Sequence, residues 1–183
     1  AYACAVSARQ RKRAEKSPLR RERENMRLTC ALTGHRALPQ NFNVNALYDA
    51  LEERIRAGCD RFLCGMARGF DLTALKCLAD LREKYKITLV ACIPYRGQVR
   101  SMQQEERALY CSLLDFCDEK IVLHEAYVNG CFLERNRYMV DHSGYLIAFT
   151  WHAASNSREL VEYARRREEK GLIHVQNLAD VVR

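Results

Sequence analysis

The sequence predicts an α/β fold, a three-layer sandwich in which a mostly parallel sheet is covered by helices on both faces. Three observations predict it. Short apolar runs alternate with amphipathic stretches from residue 27 to the end of the chain, which is typical of a parallel sheet. The run at 87–93 is apolar at nearly every position, as a strand covered on both faces requires. Glycine turns follow two of the runs, where strands pass into helices.

Each strand is predicted from a short run rich in apolar residues. The six strands are expected over residues 27–33, 60–64, 87–93, 120–123, 145–149 and 172–175. The first ends in a polar turn that begins at Thr33, and the third is followed by Pro94, which is expected to end it. The fifth is apolar without interruption from Leu146 to Phe149.

Each helix is predicted from apolar residues spaced three or four apart. The five helices are expected over residues 43–57, 70–84, 101–116, 131–142 and 156–169. The first places Leu47, Leu51 and Ile55 on one face and ends before Gly58, a common stop signal. The second follows directly on the glycine turn at Gly69, so that its N-terminus faces the end of a strand.

The net charge of +7 is concentrated at the N-terminus. Residues 1–25 contain eight Lys and Arg against three Asp and Glu, a net +5, and residues 26–183 contain 22 against 20, a net +2. We expect 1–25 to be a disordered charged extension, with Met26 as a conceivable natural start, and 26–183 to fold as one domain. The nearly neutral domain argues against nucleic acid as a partner. A basic arm that touches nucleic acid or acidic lipid stays open as an alternative.

Composition excludes several classes of protein. No apolar run approaches the roughly 20 residues that a membrane helix needs. The nine cysteines are odd in number, lie partly within apolar runs and form no Cys-x-x-Cys pair. They predict free thiols in a cytoplasmic protein, with no disulfide and no metal. No cofactor is expected. Cys131, beside Gly130, is the one thiol considered as a nucleophile, and burial is the preferred reading for it.

Two glycine turns indicate an anion site. In parallel α/β sheets, ligands bind beyond the carboxyl ends of the strands, where both turns are expected. Glycine lets backbone amides approach a phosphate, and a helix N-terminus favours negative charge. The turns predict a nucleotide-like small molecule as ligand. The candidate binding residues in them are Thr33, Gly34, His35, Arg36, Gly65, Gly69 and Asp71.

Four segments together resemble a known family. They are Cys30-Ala-Leu-Thr-Gly-His-Arg36, Gly65-Met-Ala-Arg-Gly-Phe-Asp71, Ile93-Pro-Tyr-Arg-Gly-Gln98 and Arg135-Asn-Arg-Tyr-Met-Val-Asp-His-Ser143. They are similar to the YpsA-like branch of the SLOG superfamily, over about Met26 to the C-terminus. This Rossmann-like group also includes the LOG nucleoside-monophosphate phosphoribohydrolases and the SMF/DprA single-strand DNA proteins. The resemblance implies a Rossmann-like fold, a nucleotide-derived ligand and a bacterial, cytosolic protein.

The matching segments and the loop after the fifth strand add further candidate ligand-binding residues. They are Pro94, Gln98, Asn136, Arg137, Ser155 and Ser157. Arg137 offers a bidentate fork to phosphate, or it forms an ion pair with Asp141 four residues on. Asp71 either orients a ribose hydroxyl or water, or satisfies free amides at a helix start. Tyr95 and Trp151 either stack on a base or lie at the surface.

The loop after the fifth strand departs from the family pattern. Related sequences carry a Gly-Gly-Thr turn there, whereas residues 150–157 of this chain contain no glycine. Ser155, Asn156 and Ser157 retain hydrogen-bonding groups and a helix cap. The close backbone approach that glycine allows is lost, which argues against LOG-type hydrolysis.

The sequence leaves three functions open. The leading hypothesis is a cytosolic sensor or regulatory module that binds an ADP-ribose-like or nucleoside-monophosphate-like compound, which requires no catalytic residues. The first alternative is hydrolysis of an N-glycosidic bond, for which the sequence offers Asp71, Glu134, Asp141 and Glu159 as carboxylates. The second alternative is single-strand DNA binding. A homo-oligomer is compatible with each of them.

Overall fold

Six strands form one fully parallel sheet in the computed structural model, which describes residues 24–151 and 155–181. The strands are β1 (Thr29–Gly34), β2 (Arg61–Cys64), β3 (Thr88–Tyr95), β4 (Glu119–His124), β5 (Tyr145–Phe149) and β6 (His174–Asn177). Their order across the sheet is β4-β3-β2-β1-β5-β6. The predicted α/β architecture is confirmed, and the sheet is parallel throughout.

Helices cover both faces of the sheet. They are α1 (Val44–Arg56), α2 (Phe70–Leu81), α3 (Gln104–Phe116), α4 (Cys131–Asp141) and α5 (Asn156–Glu168), with short 3₁₀ helices at Gln98–Ser101 and Leu178–Val181. Apolar side chains of α1, α2 and α3 form one core cluster with one face of the sheet. Those of α4 and α5 form a second cluster with the other face. The two clusters are the two interfaces of a three-layer sandwich.

The strand order reverses beside β1. Leu32 of β1 lies opposite Cys64 of β2 on one side and Ile147 of β5 on the other. The chain builds outward from β1 to β4, then returns through α4 to place β5 on the far side of β1. Loops that leave the carboxyl ends of β1 and β5 diverge to opposite faces, which opens a crevice between them.

Several predicted boundaries differ from the structure by two or three residues. Strand β3 does not end before Pro94 but continues to Tyr95, which still pairs with His124. Proline removes an amide donor, but its fixed φ angle is compatible with an extended strand. The second helix ends at Leu81 rather than at 84, the third begins at Gln104 rather than at 101, and β6 starts at His174 rather than at 172.

The described chain begins with a helical turn at residues 24–27. The Thr29 hydroxyl donates a hydrogen bond to the carbonyl of Asn25, at 2.7 Å. A Cβ on Gly144 would lie 2.9 Å from Arg27 Cα, so this turn packs directly against the start of β5. Asn25 and Arg27 therefore contact the first residues of the sheet, and the predicted domain bounds stay a prediction. Residues 1–23 lie outside the described residues, and the expected disorder there stays a prediction.

The described thiols are free, and all but one of them are buried. Cys111 is exposed, whereas Cys30, Cys64 and Cys131 are fully buried. Burial raises the pKa of Cys59 to about 11 and that of Cys92 to about 12, which lowers the thiolate fraction at neutral pH. Cys4 lies outside the described residues. Within 24–151 and 155–181, no helix has the length and apolar character that crossing a membrane requires.

Candidate functional site at the strand crossover

A polar cleft lies at the carboxyl ends of β1, β2 and β5. Four segments contribute to it: the end of β1 with the loop after it, the loop between β2 and α2 with the first turn of α2, the first half of α4 and the start of α5. The lining residues are Thr33, Gly34, Arg36, Ala67, Asp71, Phe132, Arg135, Asn136, Asn156 and Ser157. The structure thus brings together six of the predicted residues, namely Thr33, Gly34, Arg36, Asp71, Asn136 and Ser157.

Gly69 joins the two glycine turns to each other. Its φ angle is +77°, a region that favours glycine, and a Cβ there would lie 2.6 Å from the carbonyl oxygen of His35. The next amide, of Phe70, donates a hydrogen bond to the same carbonyl at 3.1 Å. A Cβ on Gly34 would lie 2.7 Å from Cδ1 of Phe70. Both glycines are therefore explained by packing between protein segments.

Asp71 is the one candidate catalytic carboxylate that lines the cleft. It stands in the first turn of α2, is only 3% exposed, and accepts a hydrogen bond from the amide of Ala67 at 3.3 Å. Burial raises the pKa of Asp71 from 3.8 to about 6, against the opposing effects of Arg135 and the Ala67 amide. The carboxyl can therefore gain or lose a proton close to neutral pH.

Arg135 supplies a buried guanidinium that the sequence reasoning missed. The residue is 4% exposed, and its Nε donates to Oδ1 of Asn136 at 2.8 Å. Its Nη1 donates to the carbonyl of Gly65. A Cβ on Gly65 would lie 2.6 Å from Arg135 Cζ and 2.8 Å from Asp71 Oδ2, so this glycine makes room for both charged groups. Gly65 thus shapes the cleft without lining it.

The loop after β5 is held against the loop after β1. The backbone N–H of Trp151 donates to Nε2 of His35 at 2.9 Å, and the hydroxyl of Ser157 donates to the carbonyl of Gly34 at 2.8 Å. Ser155 caps α5 by accepting from the amide of Arg158 at 3.1 Å. His35 and Ser155 therefore act within the protein and do not line the cleft. Residues 152–154 of this loop lie outside the described residues.

Three predicted ligand residues lie away from the cleft. Arg137 is on the outer side of α4, where its 53% exposed side chain approaches Glu159 at 3.9 Å and lies over the Tyr163 ring. Pro94 is buried inside β3. Gln98 is buried and donates to the carbonyl of Met66 at 2.9 Å. The helical period explains why Arg137 points away from the cleft. In the motif Arg-Asn-Arg, the first two side chains face inward and the third faces outward.

The other candidate carboxylates are dispersed. Glu134 lies 2.7 Å from Nε2 of His124, and Asp141 accepts from the hydroxyl of Tyr163 at 2.7 Å. Glu159 approaches the exposed Arg137. The structure therefore does not assemble a pair of these carboxylates in the cleft. Within the described residues, no three His, Cys, Asp or Glu side chains converge as a metal site would require.

This chain is similar to one protein family and to one curated relative. A family model described as the YspA SLOG family matches residues 40–178. The uncharacterized SPbeta prophage-derived protein YoqJ of Bacillus subtilis is 26% identical over 58% of this chain and 70% of its own length.

Two solved structures of DNA processing protein A align with this chain. The Helicobacter pylori protein, described for its single-stranded DNA binding mode, aligns with a TM-score of 0.57 and 17% identity over 86% of this chain and 69% of its own. The Streptococcus pneumoniae protein aligns with a TM-score of 0.49 and 14% identity over 88% of this chain and 62% of its own. At these identities the first likeness shows the fold alone. The family match covers well over half of the chain, which therefore belongs to the YspA SLOG family.

Proposed function

We propose that the cleft binds the phosphate of a nucleotide-derived ligand, such as a nucleoside monophosphate or an ADP-ribose-like compound, and that the chain is a sensor or regulatory module. One observation carries this proposal: Arg36 is an exposed cation at the cleft that forms no ion pair with any carboxylate in residues 24–151 and 155–181. Some exposed arginines elsewhere on the domain, such as Arg96 and Arg158, are paired with glutamates, and others lie on the outer surface, whereas Arg36 lines the cleft. A guanidinium held at a polar cleft is well suited to a phosphate.

The surroundings of Arg36 favour an anion further. Asn156 and Ser157 belong to the first turn of α5, whose N-terminal dipole attracts negative charge. The buried guanidinium of Arg135 adds a second cation to the cleft wall. The ionised carboxylate of Asp71 reduces the positive charge that the two arginines give the cleft. It also offers a hydrogen-bond acceptor to a sugar hydroxyl. A ligand that carries both a phosphate and a ribose offers a binding partner to all of these residues.

Hydrolysis of an N-glycosidic bond is the second candidate, because one observation favours it. Asp71 is buried at the cleft with a pKa of about 6, which suits a general acid or base near neutral pH. Glycosidases ordinarily use a second carboxylate, and Glu134, Asp141 and Glu159 lie elsewhere. We therefore favour ligand binding without hydrolysis as the function of the cleft. Release of ribose 5-phosphate from AMP, abolished in Asp71→Asn, would establish the hydrolase instead.

Single-strand DNA binding has weaker support. The fold is shared with a DNA processing protein, but residues 26–183 carry a net charge of only +2 and many of their arginines are paired. Binding of a strand would need a continuous basic groove and would weaken steeply with salt. A steep salt dependence of oligonucleotide affinity would revive this function.

A thermal-shift screen tests the proposed function. The screen compares AMP, ADP-ribose, NAD and cyclic dinucleotides, with adenosine as the control that lacks phosphate. A ligand present at one hundred times its Kd stabilises the folded protein by about 2.7 kcal/mol, which is easily resolved as a higher Tm. We expect at least one phosphate-bearing compound to raise Tm while adenosine does not. No shift with any phosphate compound at millimolar concentration would contradict the proposal.

A further inference from the structure

Three aromatic side chains cluster beside the cleft. The rings of Tyr95, Tyr127 and Phe132 meet with centroids 5.6 to 6.5 Å apart, mostly edge to face. They come from the end of β3, the loop after β4 and the start of α4. We name these three residues the aromatic platform. Tyr127 is 61% exposed, so most of its ring faces solvent.

The platform is continuous with the phosphate cleft. Phe132 belongs to both, since it packs on Tyr127 and also lines the cleft. The guanidinium of Arg36 lies 5.4 Å from the centre of the Phe132 ring, a cation–π contact that holds the charge between platform and cleft. A ligand whose phosphate meets Arg36 would therefore have the platform beside it.

The charges around the platform favour a single, compact ligand. Arg96 is bound in two hydrogen bonds by Glu125, each 2.7 Å long, and His124 contacts Glu134 at 2.7 Å. Glu125 neutralises Arg96, and the Glu134 carboxylate adds negative charge nearby, so these groups disfavour the further phosphates of a nucleic-acid strand. A planar, weakly polar group suits the exposed ring better than a polyanion does.

We infer that the aromatic platform is a base subsite: the base of a nucleoside phosphate stacks on Tyr127 while its phosphate occupies the cleft at Arg36. The inference rests on the proposed function and names the class of ligand for the same site, one with an aromatic base. Sugar phosphates without a base are then poor ligands. A purine should bind more tightly than a pyrimidine, because its larger ring covers more of the platform.

Isothermal titration calorimetry with AMP and with ribose 5-phosphate tests the subsite. Wild type should bind AMP more tightly than ribose 5-phosphate. Tyr127→Ala should weaken AMP binding roughly 5- to 150-fold, the range for loss of one base–aromatic stack, and leave ribose 5-phosphate within about twofold. Tyr127→Phe should retain AMP binding. Phe116→Ala is the matched control, since Phe116 is also a half-exposed aromatic but stands at the end of α3 and does not belong to the platform.

The outcomes separate the subsite from the phosphate cleft. Equal affinity of wild type for the two ligands would overturn the base subsite and leave the phosphate cleft intact. Equal weakening of both ligands by Tyr127→Ala would also overturn it, because Tyr127 would then support the cleft as a whole. Failure of both ligands to bind wild type would overturn the subsite together with the proposed function. Tighter binding of a single-stranded oligonucleotide than of AMP would overturn the choice of a single nucleotide.

Discussion

The imidazole of His35 accepts a hydrogen bond from the backbone N–H of Trp151, with 2.9 Å between the two nitrogens. The two rings also meet edge to face, with centroids 4.2 Å apart. Because Nε2 is the acceptor, the proton of the neutral ring lies on Nδ1. His35 follows β1 and Trp151 follows β5, so this pair links the loops on either side of the strand crossover.

His35→Ala should destabilise the domain. The substitution leaves the Trp151 amide without its acceptor and removes a buried ring, which should lower the free energy of unfolding by about 1–3 kcal/mol. Urea denaturation measures the change. His174→Ala is the control, because His174 is an exposed residue at the far end of the sheet and its loss should cost less than about 0.5 kcal/mol. Equal stability of the two variants would show that the link across the crossover is energetically unimportant.

Gly69→Ala should cost far more stability than Gly171→Ala. Both glycines have positive φ angles, +77° and +67°, so an alanine is strained at either position. A Cβ at Gly171 meets no atom within 4 Å, whereas at Gly69 it overlaps the carbonyl groups of His35 and Arg36. We expect a loss of about 1 kcal/mol at Gly171 and of about 3 kcal/mol or more at Gly69.

Chemical denaturation of the two glycine variants measures this difference. Similar losses at both positions would contradict the close approach of the two turns. Because any side chain at position 69 meets the same carbonyl groups, a loss of ligand binding in a Gly69 variant would not by itself identify a phosphate site.

Asp71 should make the domain less stable as pH rises. Its pKa in the folded state is about 6, above the ordinary 3.8, so the folded state holds the proton more tightly than the unfolded state. The stability this gives is fully present below about pH 3.8 and is lost as pH rises through 6. Wild type should therefore lose up to about 3 kcal/mol relative to Asp71→Asn between pH 4 and pH 7. Parallel denaturation curves of the two proteins across this range measure it, and a constant difference would be the contrary result.

The sequence predicted most of the fold because hydrophobic patterning reports burial directly. The strand at 145–149 matches β5 to the residue, and α1 and α5 differ from their predicted bounds by one residue at each end or less. The end of β3 was predicted too early, at Pro94. The strand continues because Tyr95 pairs with β4, and this pairing is a tertiary contact. The helical turn at 24–27 was missed because its packing against Gly144 joins residues far apart in sequence.

The site was predicted less well than the fold. The glycine turns located the cleft, but the roles of individual residues depend on contacts that no local pattern contains. Arg135 and Arg137 are two residues apart in one motif, yet only Arg135 turns inward toward Gly65. A helical projection of α4 could have separated them, because Met139, four residues after Arg135, lies on the apolar face. Phe132 gave no local signal, since its importance comes from its contact with Arg36.

The central claim, a phosphate site at Arg36, is tested most directly by calorimetric titration of AMP into wild type, Arg36→Ala and Arg137→Ala. Both substitutions remove one exposed arginine and should leave the free energy of unfolding within about 0.5 kcal/mol of wild type. Arg36→Ala should weaken binding by about 1.5–3 kcal/mol, the range for a charge-assisted hydrogen bond, and Arg36→Lys should restore only part of it. Arg137→Ala should bind as wild type does. Unchanged affinity in a folded Arg36→Ala, or a larger loss in Arg137→Ala, would contradict the account.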